Sequence, residues 1–170
     1  MGIAIRPAIA ADLPLINALI RELADYERML DEVRFEEDTL GPYLFGPNPM
    51  AEVLIGEVDG LACGFALFFH NFSTFEGRPG IYLEDLFVRA PARGHGLGKA
   101  LLAELARLAA SRGCVRLEWA VLDWNAPAIA FYEKLGARAL DEWTGMRLSG
   151  AELRRLAGLD TNSAQLVVEK

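Results

Sequence analysis

Apolar residues recur at two different spacings in the first third of the chain, which predicts a strand followed by helices. Residues 3–7 form a short apolar run that ends in proline, as a first strand does. From Leu15 to Tyr26 the apolar residues recur at helical spacing, which predicts a helix with Asp12 as its N-cap and Pro14 in its first turn. A weaker helical pattern covers 36–44 and ends in the loop GPYLFGPNP.

Extended runs dominate the middle of the chain. Residues 52–58 and 62–69 flank the turn Asp59-Gly60, which predicts an antiparallel hairpin, and a third extended run covers 81–88. From 96 to 112 the leucines recur at helical spacing and a glycine follows as the stop. The pattern therefore predicts three adjacent strands and then a long helix.

The last part of the chain is predicted to add a strand, a short helix and a hairpin. The run VRLEWAVL at 115–122 indicates a strand, Asn125 caps a helix, and 137–149 has the pattern of a last hairpin or bent strand. About six strands and four helices then make one α/β domain over residues 1–170, with 158–170 as an extra C-terminal tail.

Composition narrows the range of partners. The chain has 17 basic and 24 acidic side chains, a net charge of −7, which repels nucleic acid phosphates and favours a cationic substrate. Cys63 and Cys114 lie far apart in apolar runs, which predicts buried free thiols in a reducing compartment. The sequence shows no signal peptide and no membrane span, so we expect a cytoplasmic protein without membrane contact. His70 and His95 have no ligand constellation around them, and no metal is expected.

The stretch RGHGLGKA, residues 93–100, carries the clearest chemical signal. It lies between a predicted strand and a predicted helix, and its three alternate glycines let backbone N–H groups turn inward together. The helix N-terminus, Arg93 and Lys99 add positive charge. These features predict a pyrophosphate site rather than an ordinary turn.

Two common phosphate-binding motifs do not fit this loop. A Walker A loop requires glycine where the chain has Arg93 and Ser or Thr where it has Ala100. The dinucleotide fingerprint requires glycine at Lys99, and it opens a βαβ unit instead of lying in mid-chain. Nucleoside triphosphates and nicotinamide dinucleotides are therefore disfavoured.

The spacing Arg-x-x-Gly-x-Gly resembles the pyrophosphate loop of the GNAT superfamily of N-acetyltransferases. The resemblance runs through IRPA, ELADYERM, YLEDLFV, RGHGLGKALL and AVLDWNAPAIAFYEKLGA, and is strongest to the diamine (spermidine/spermine) acetyltransferase subgroup, in its thialysine-type branch. It implies a single GNAT domain whose mixed sheet has six to seven twisted strands, with helices on both faces and a splay between the two central parallel strands. It also implies acetyl-CoA as co-substrate and a homodimer.

The resemblance implies which residues hold the cofactor. The backbone of Leu86, Phe87 and Val88 would bind pantetheine and the thioester. The pyrophosphate would lie on Arg93, Gly94, His95, Gly96, Leu97, Gly98 and Lys99, and further parts of CoA on Asn125, Pro127 and Ala128.

Tyr132 and the adjacent acids Glu84 and Asp85 are the candidate catalytic and amine-binding groups. Alone, a tyrosine in IAFYEKLG is more often a core aromatic, but the resemblance implies that Tyr132 protonates the departing CoA thiolate. It also implies that Glu84 binds the amine and relays its proton. On an ideal strand the two acids face opposite ways, although a bulge would shift this alternation, and Asp85 is equally well explained as a solvent-facing residue at a sheet end.

The resemblance implies a small primary amine as acceptor, in a pocket that includes Tyr26 and Glu27, either within one chain or across a dimer. Ser73 and Thr74 stand where polyamine-acetylating members carry an acid and an aromatic residue, which favours a thialysine-like amino acid or a diamine. Three alternatives stay open: a polyamine acceptor, a protein lysine or N-terminus as acceptor, and a CoA-binding module without turnover.

Overall fold

The computed structural model describes residues 2–159, except for the side chain of Glu37. It contains five strands: β1 (Ile3–Pro7), β2 (Glu52–Val58), β3 (Leu61–Ser73), β4 (Arg78–Val88) and β5 (Leu117–Glu118). The five α-helices are α1 (Leu13–Tyr26), α2 (Glu37–Phe45), α3 (Leu97–Ser111), α4 (Ala126–Lys134) and α5 (Gly150–Leu156), with short 3-10 turns at Ala10–Asp12, Leu30–Glu32 and Ala90–Ala92. The α/β class is confirmed, with fewer strands than expected.

The strands form one mixed sheet in the order β1-β2-β3-β4-β5. The first four are antiparallel, and β3 and β4 make a long hairpin whose register runs from Gly64↔Val88 to Ser73↔Arg78. The last pair, β4 and β5, is parallel and is matched only at Ile81↔Leu117 and Tyr82↔Glu118. The sheet therefore opens along the second half of β4.

Helices cover both faces of the sheet. The apolar stripe of α1 is buried with residues of the central strands in one cluster: Ile16, Leu19, Leu23, Val53, Ile55, Phe65, Leu67 and Phe87. On the other face Leu97 of α3 lies so close to β2 and β3 that a Cβ on Gly56 would come within 2.9 Å of it. Glycine at this position lets α3 pack directly on the strand backbone.

Three local expectations are wrong. Asp12 occupies the N-cap position of α1 without a side-chain cap bond, because its carboxylate pairs with Arg6 at 2.7 Å. The strand expected at 115–122 shrinks to the two residues of β5. Residues 137–149 form no strand, and the chain ends its described part with α5, which the sequence pattern did not indicate.

The described chain divides into two compact units after Ala120. The first holds the whole sheet with α1, α2 and α3, and the second holds α4 and α5. A single domain over 1–170 stays a prediction. Residues 160–170 of the expected tail lie outside the described residues.

Candidate active site

The open edge of β4 presents main-chain groups beyond the point where β5 ends. Arg89 donates its N–H to the Cys63 carbonyl at 2.8 Å, so the main-chain groups of Arg89 turn toward β3. Because bonded residues alternate in an antiparallel pair, Phe87 also turns toward β3, whereas Leu86 and Val88 turn their main-chain groups to the open edge. Two of the three residues predicted to hold pantetheine by their backbone therefore turn that backbone to the open edge.

The glycine-rich loop joins the 3-10 turn after β4 to α3. Gly94 and Gly96 adopt φ angles of +81° and +89°, a left-handed conformation that favours glycine. Gly98 already lies inside α3, as do Leu97 and Lys99. His95 and Lys99 are exposed, whereas the Leu97 side chain is buried in the core, so only the main chain of Leu97 is available to a ligand.

A β-bulge in β4 separates the two adjacent acids. Leu83 pairs with Phe68 and Asp85 pairs with Leu67, so Glu84 is the extra residue that the register skips. Because Phe68 and Leu67 point to opposite faces of β3, the bulge turns Asp85 to the face that Leu67 shares with α1. Glu84 is exposed and Asp85 is half-buried. Strict alternation would have placed Asp85 on the same face as Leu83.

Asp85 lies in an unfavourable environment for a carboxylate. Burial raises its pKa to about 6, and the negative charges of Glu84 and Glu27 contribute to this increase. Burial also raises the pKa of Glu27, at the end of α1. The structure thus brings the predicted acceptor residues Glu27, Glu84 and Asp85 together in a region of negative potential that a cation would stabilise.

Arg93 connects this region to the glycine-rich loop. Its Nε–H donates to the Val88 carbonyl at 2.7 Å, and its guanidinium lies over the rings of Tyr26 and Phe87. Nearby, Arg89 pairs with Glu22 at 2.7 Å and fixes α1 against the end of β4. The contacts of Arg93 with Tyr26 and of Arg89 with Glu22 were not predicted, because each joins residues 67 positions apart and no local pattern identifies them.

Ser73 and Thr74 are not near the acids of their own chain. They lie at the tip of the β3–β4 hairpin, where Ser73 is buried and its hydroxyl accepts the Glu76 N–H at 3.3 Å. Ser73 lies six positions along β3 from Leu67, the partner of Asp85, which is about 20 Å at the usual rise of a strand. A small acceptor cannot contact both places in one chain.

The second compact unit carries the remaining predicted residues. Asn125 is buried and caps α4, its side-chain oxygen accepting the Ala128 N–H at 3.4 Å, and Pro127 lies in the first turn of the helix. Tyr132 is half-buried in α4, with its ring 5.3 Å from that of Phe131. The predicted cap at Asn125 is confirmed.

Comparison with known proteins identifies the family. The family profile described as "Acetyltransferase (GNAT) family" matches residues 16–137. The chain belongs to the GNAT acetyltransferase family. This GNAT chain is 38% identical over 168 residues to a thialysine N-epsilon-acetyltransferase of Sus scrofa, covering 92% of the chain and 98% of that relative. It is 31% identical to an L-ornithine N5-acetyltransferase of Arabidopsis thaliana, covering 92% and 88%.

A solved structure agrees with this assignment. An integron cassette protein from the mobile metagenome of V. cholerae superposes with a TM-score of 0.76 at 30% identity, covering 92% of the GNAT chain and 98% of the cassette protein. The protein is therefore an N-acetyltransferase with the GNAT fold, as the sequence predicted.

Within residues 2–159 no group of three or more His, Cys, Asp or Glu side chains is arranged to hold a metal ion. None of the helices in this part of the chain is long and apolar enough to cross a membrane.

Proposed function

We propose that this enzyme transfers the acetyl group of acetyl-CoA to a primary amine of a small cationic acceptor by direct attack. The observation that carries the proposal is the open edge of β4, which has the glycine-rich loop at one end and the acids Glu84 and Asp85 beside it. An anionic cofactor and a cationic acceptor thus have adjacent places of opposite charge preference.

The residues of the chain fit a CoA thioester. The outward main-chain groups of Leu86 and Val88 can pair with the pantetheine amides, as an added strand would. Backbone N–H groups of the loop at Gly94 and Gly96, with Arg93 and Lys99, suit a pyrophosphate. His95, Leu97 and Gly98 would contribute main-chain contacts, and Asn125, Pro127 and Ala128 contacts to other parts of CoA. The thioester supplies the acetyl group, and amide formation releases the CoA thiol.

The two acids divide the handling of the ammonium group. An amine is protonated at neutral pH and must lose that proton before it attacks a thioester. Glu84 is exposed and suits the binding of the incoming ammonium, with Tyr26 and Glu27 at the end of α1 as further contacts. Asp85, whose pKa is raised to about 6, suits the role of proton acceptor near neutral pH. Tyr132 would return a proton to the CoA sulfur.

Replacing Asp85 by Asn is expected to stabilise the protein and to slow the reaction. At pH 8 the carboxyl is ionised in both the folded and the unfolded chain, so the folded state bears the full cost of burying it. That cost is up to about 3 kcal/mol for a pKa raised from 3.8 to about 6, and it is largely lost as the pH falls to about 4, near the pKa of the unfolded chain. Urea unfolding at pH 8 and pH 4 measures the gain, and kcat should fall roughly 100-fold.

Glu84→Gln is the matched control for this variant. Because Glu84 is exposed, the free energy of unfolding of this variant should differ little from that of the unaltered protein. The main effect should be a higher KM for the amine. If Glu84→Gln lost kcat while Asp85→Asn kept it, the proton acceptor would be Glu84, as the family resemblance alone implies.

The acceptor class is inferred from the acids Glu84 and Asp85 and from the β3–β4 hairpin, which has Ser73 and Thr74 in place of an acid and an aromatic residue. Both relatives named above carry thialysine or L-ornithine in their names, and each of these acceptors is a small amino acid with a side-chain amine. We expect kcat/KM for thialysine to exceed that for spermidine by at least about tenfold, because every further ammonium of a polyamine needs its own partner. Thiol release from acetyl-CoA, measured with thialysine, lysine, ornithine, putrescine and spermidine, checks this order. A preference for spermidine would contradict it.

A homodimer in the cytoplasm is the setting we propose for the reaction. Phe72 and Phe75 are 59% and 98% exposed at the hairpin tip, and a partner subunit would cover them. A partner's hairpin is also the way in which Ser73 and Thr74 can approach an acceptor, since their own chain holds them too far from Asp85. The free Cys63 and Cys114, which are half-buried, suit a reducing compartment. A monomer mass in light scattering would contradict the dimer.

A further inference from the structure

Arg93 folds back from the glycine-rich loop onto the sheet and the end of α1. Its Nε–H donates to the Val88 carbonyl at 2.7 Å. Its guanidinium carbon lies 4.6 Å from the centre of the Tyr26 ring and 5.5 Å from that of Phe87. A guanidinium makes both kinds of contact at once, because it donates in its plane and stacks through its face.

These contacts fall on two different places in the proposed site. The Val88 carbonyl belongs to the open edge of β4, where the cofactor would pair. The Tyr26 ring belongs to the amine region, and the face of an aromatic ring attracts an ammonium as it attracts a guanidinium. The Arg93 side chain therefore contacts one group of the cofactor edge and one group of the amine region.

We propose that Arg93 is an internal ligand of the free enzyme, closing the open edge at Val88 and covering the Tyr26 ring until the cofactor displaces it. This inference rests on the proposed function and concerns the order in which that site fills. A pyrophosphate offers the guanidinium charge-assisted hydrogen bonds, which are stronger than its bond to a neutral carbonyl. A pantetheine amide replaces Arg93 at Val88.

The end of α1 stays in place when Arg93 leaves. Glu22 of α1 is held by Arg89 at 2.7 Å, and Leu19 and Leu23 are buried in the core. Release of Arg93 thus uncovers the Tyr26 ring without moving the helix. The amine then binds better to the cofactor-bound enzyme than to the free enzyme, and by linkage the amine strengthens cofactor binding by the same factor.

Titration calorimetry of thialysine with and without saturating CoA tests the coupling, because CoA lacks the acetyl group and no turnover occurs. In the unaltered enzyme CoA should tighten thialysine binding by roughly fivefold or more. Arg93→Met removes the charge and the donor but keeps an unbranched, flexible side chain. In this variant the dissociation constants of thialysine for the free protein and for the CoA-bound protein should agree to within about twofold.

Two further variants separate this role from simple phosphate binding. Lys99→Met removes another cation that the same ligand would contact, so CoA binding weakens while the coupling stays at its original value. Tyr26→Leu removes the covered ring, so the factor by which CoA tightens thialysine binding falls toward one. Equal thialysine affinity with and without CoA in the unaltered enzyme, or full coupling in Arg93→Met, would overturn the role of Arg93. Failure of the unaltered protein to bind CoA would instead overturn the proposed function.

Discussion

Tyr132→Phe should lose most of kcat and keep the affinity for acetyl-CoA. The change removes one hydroxyl from a half-buried ring in α4 and leaves the packing against Phe131 in place. If this hydroxyl protonates the departing thiolate, its loss should lower kcat roughly 100-fold or more, the usual contribution of a general acid. Steady-state kinetics with thialysine gives kcat, and calorimetry with CoA should give a dissociation constant within about twofold of the original.

Tyr43→Phe is the matched control for Tyr132→Phe. Tyr43 lies in α2, is 60% exposed and has no place in the proposed chemistry, so the kcat of the Tyr43→Phe enzyme should equal that of the unaltered enzyme. An unchanged kcat in Tyr132→Phe would remove Tyr132 from the mechanism. A fall in CoA affinity with an unchanged kcat would make it a binding residue instead.

Gly96→Val should weaken CoA binding by about tenfold or more, which corresponds to about 1.4 kcal/mol. Gly96 has a φ of +89° immediately before α3, where a β-branched residue is strained, and relief of that strain would turn the loop N–H groups away from a pyrophosphate. Phe87→Leu should cost less CoA affinity, because the main-chain groups of Phe87 turn toward β3. Calorimetry with CoA compares the two variants.

Gly113→Val separates backbone strain from the loss of a binding loop. Gly113 also has a positive φ, +68°, and an added Cβ there meets nothing within 4 Å, but it follows the other end of α3. This variant should lose similar stability and keep CoA affinity. If Phe87→Leu weakened CoA binding more than Gly96→Val, the cofactor would not lie on the loop as proposed.

The sequence predicted most of the first unit because its signals are local. The Asp59-Gly60 turn and the alternating runs beside it gave the β2–β3 hairpin, and the glycines before the leucine stripe gave the start of α3. The predictions were wrong where the outcome depends on contacts between distant residues. Only Leu117 and Glu118 of 115–122 form a strand beside β4, and 137–149 form no strand although their pattern suggests one.

The sequence proposes which residues form the site but not how they are arranged. The motif YLEDLFV indicated two acids beside the cofactor strand, yet only the register of β3 against β4 shows that Glu84 is skipped and Asp85 turns to the α1 face. The pKa of Asp85 is raised mainly by burial and then by the charges of Glu84 and Glu27, and Glu27 lies 58 positions earlier in the sequence (85 minus 27). Likewise, the contact between Arg93 and Tyr26 has no signature in either motif.

Product analysis in a complete reaction tests the central claim most directly. The enzyme is mixed with acetyl-CoA and thialysine, free CoA thiol is followed over time, and the acetylated amine is quantified by mass spectrometry. We predict one N-acetylated product per thiol released, with both depending on enzyme and amine. Binding of CoA without thiol release, for thialysine and for every other amine of the panel, would contradict the account and leave a CoA-binding module without turnover.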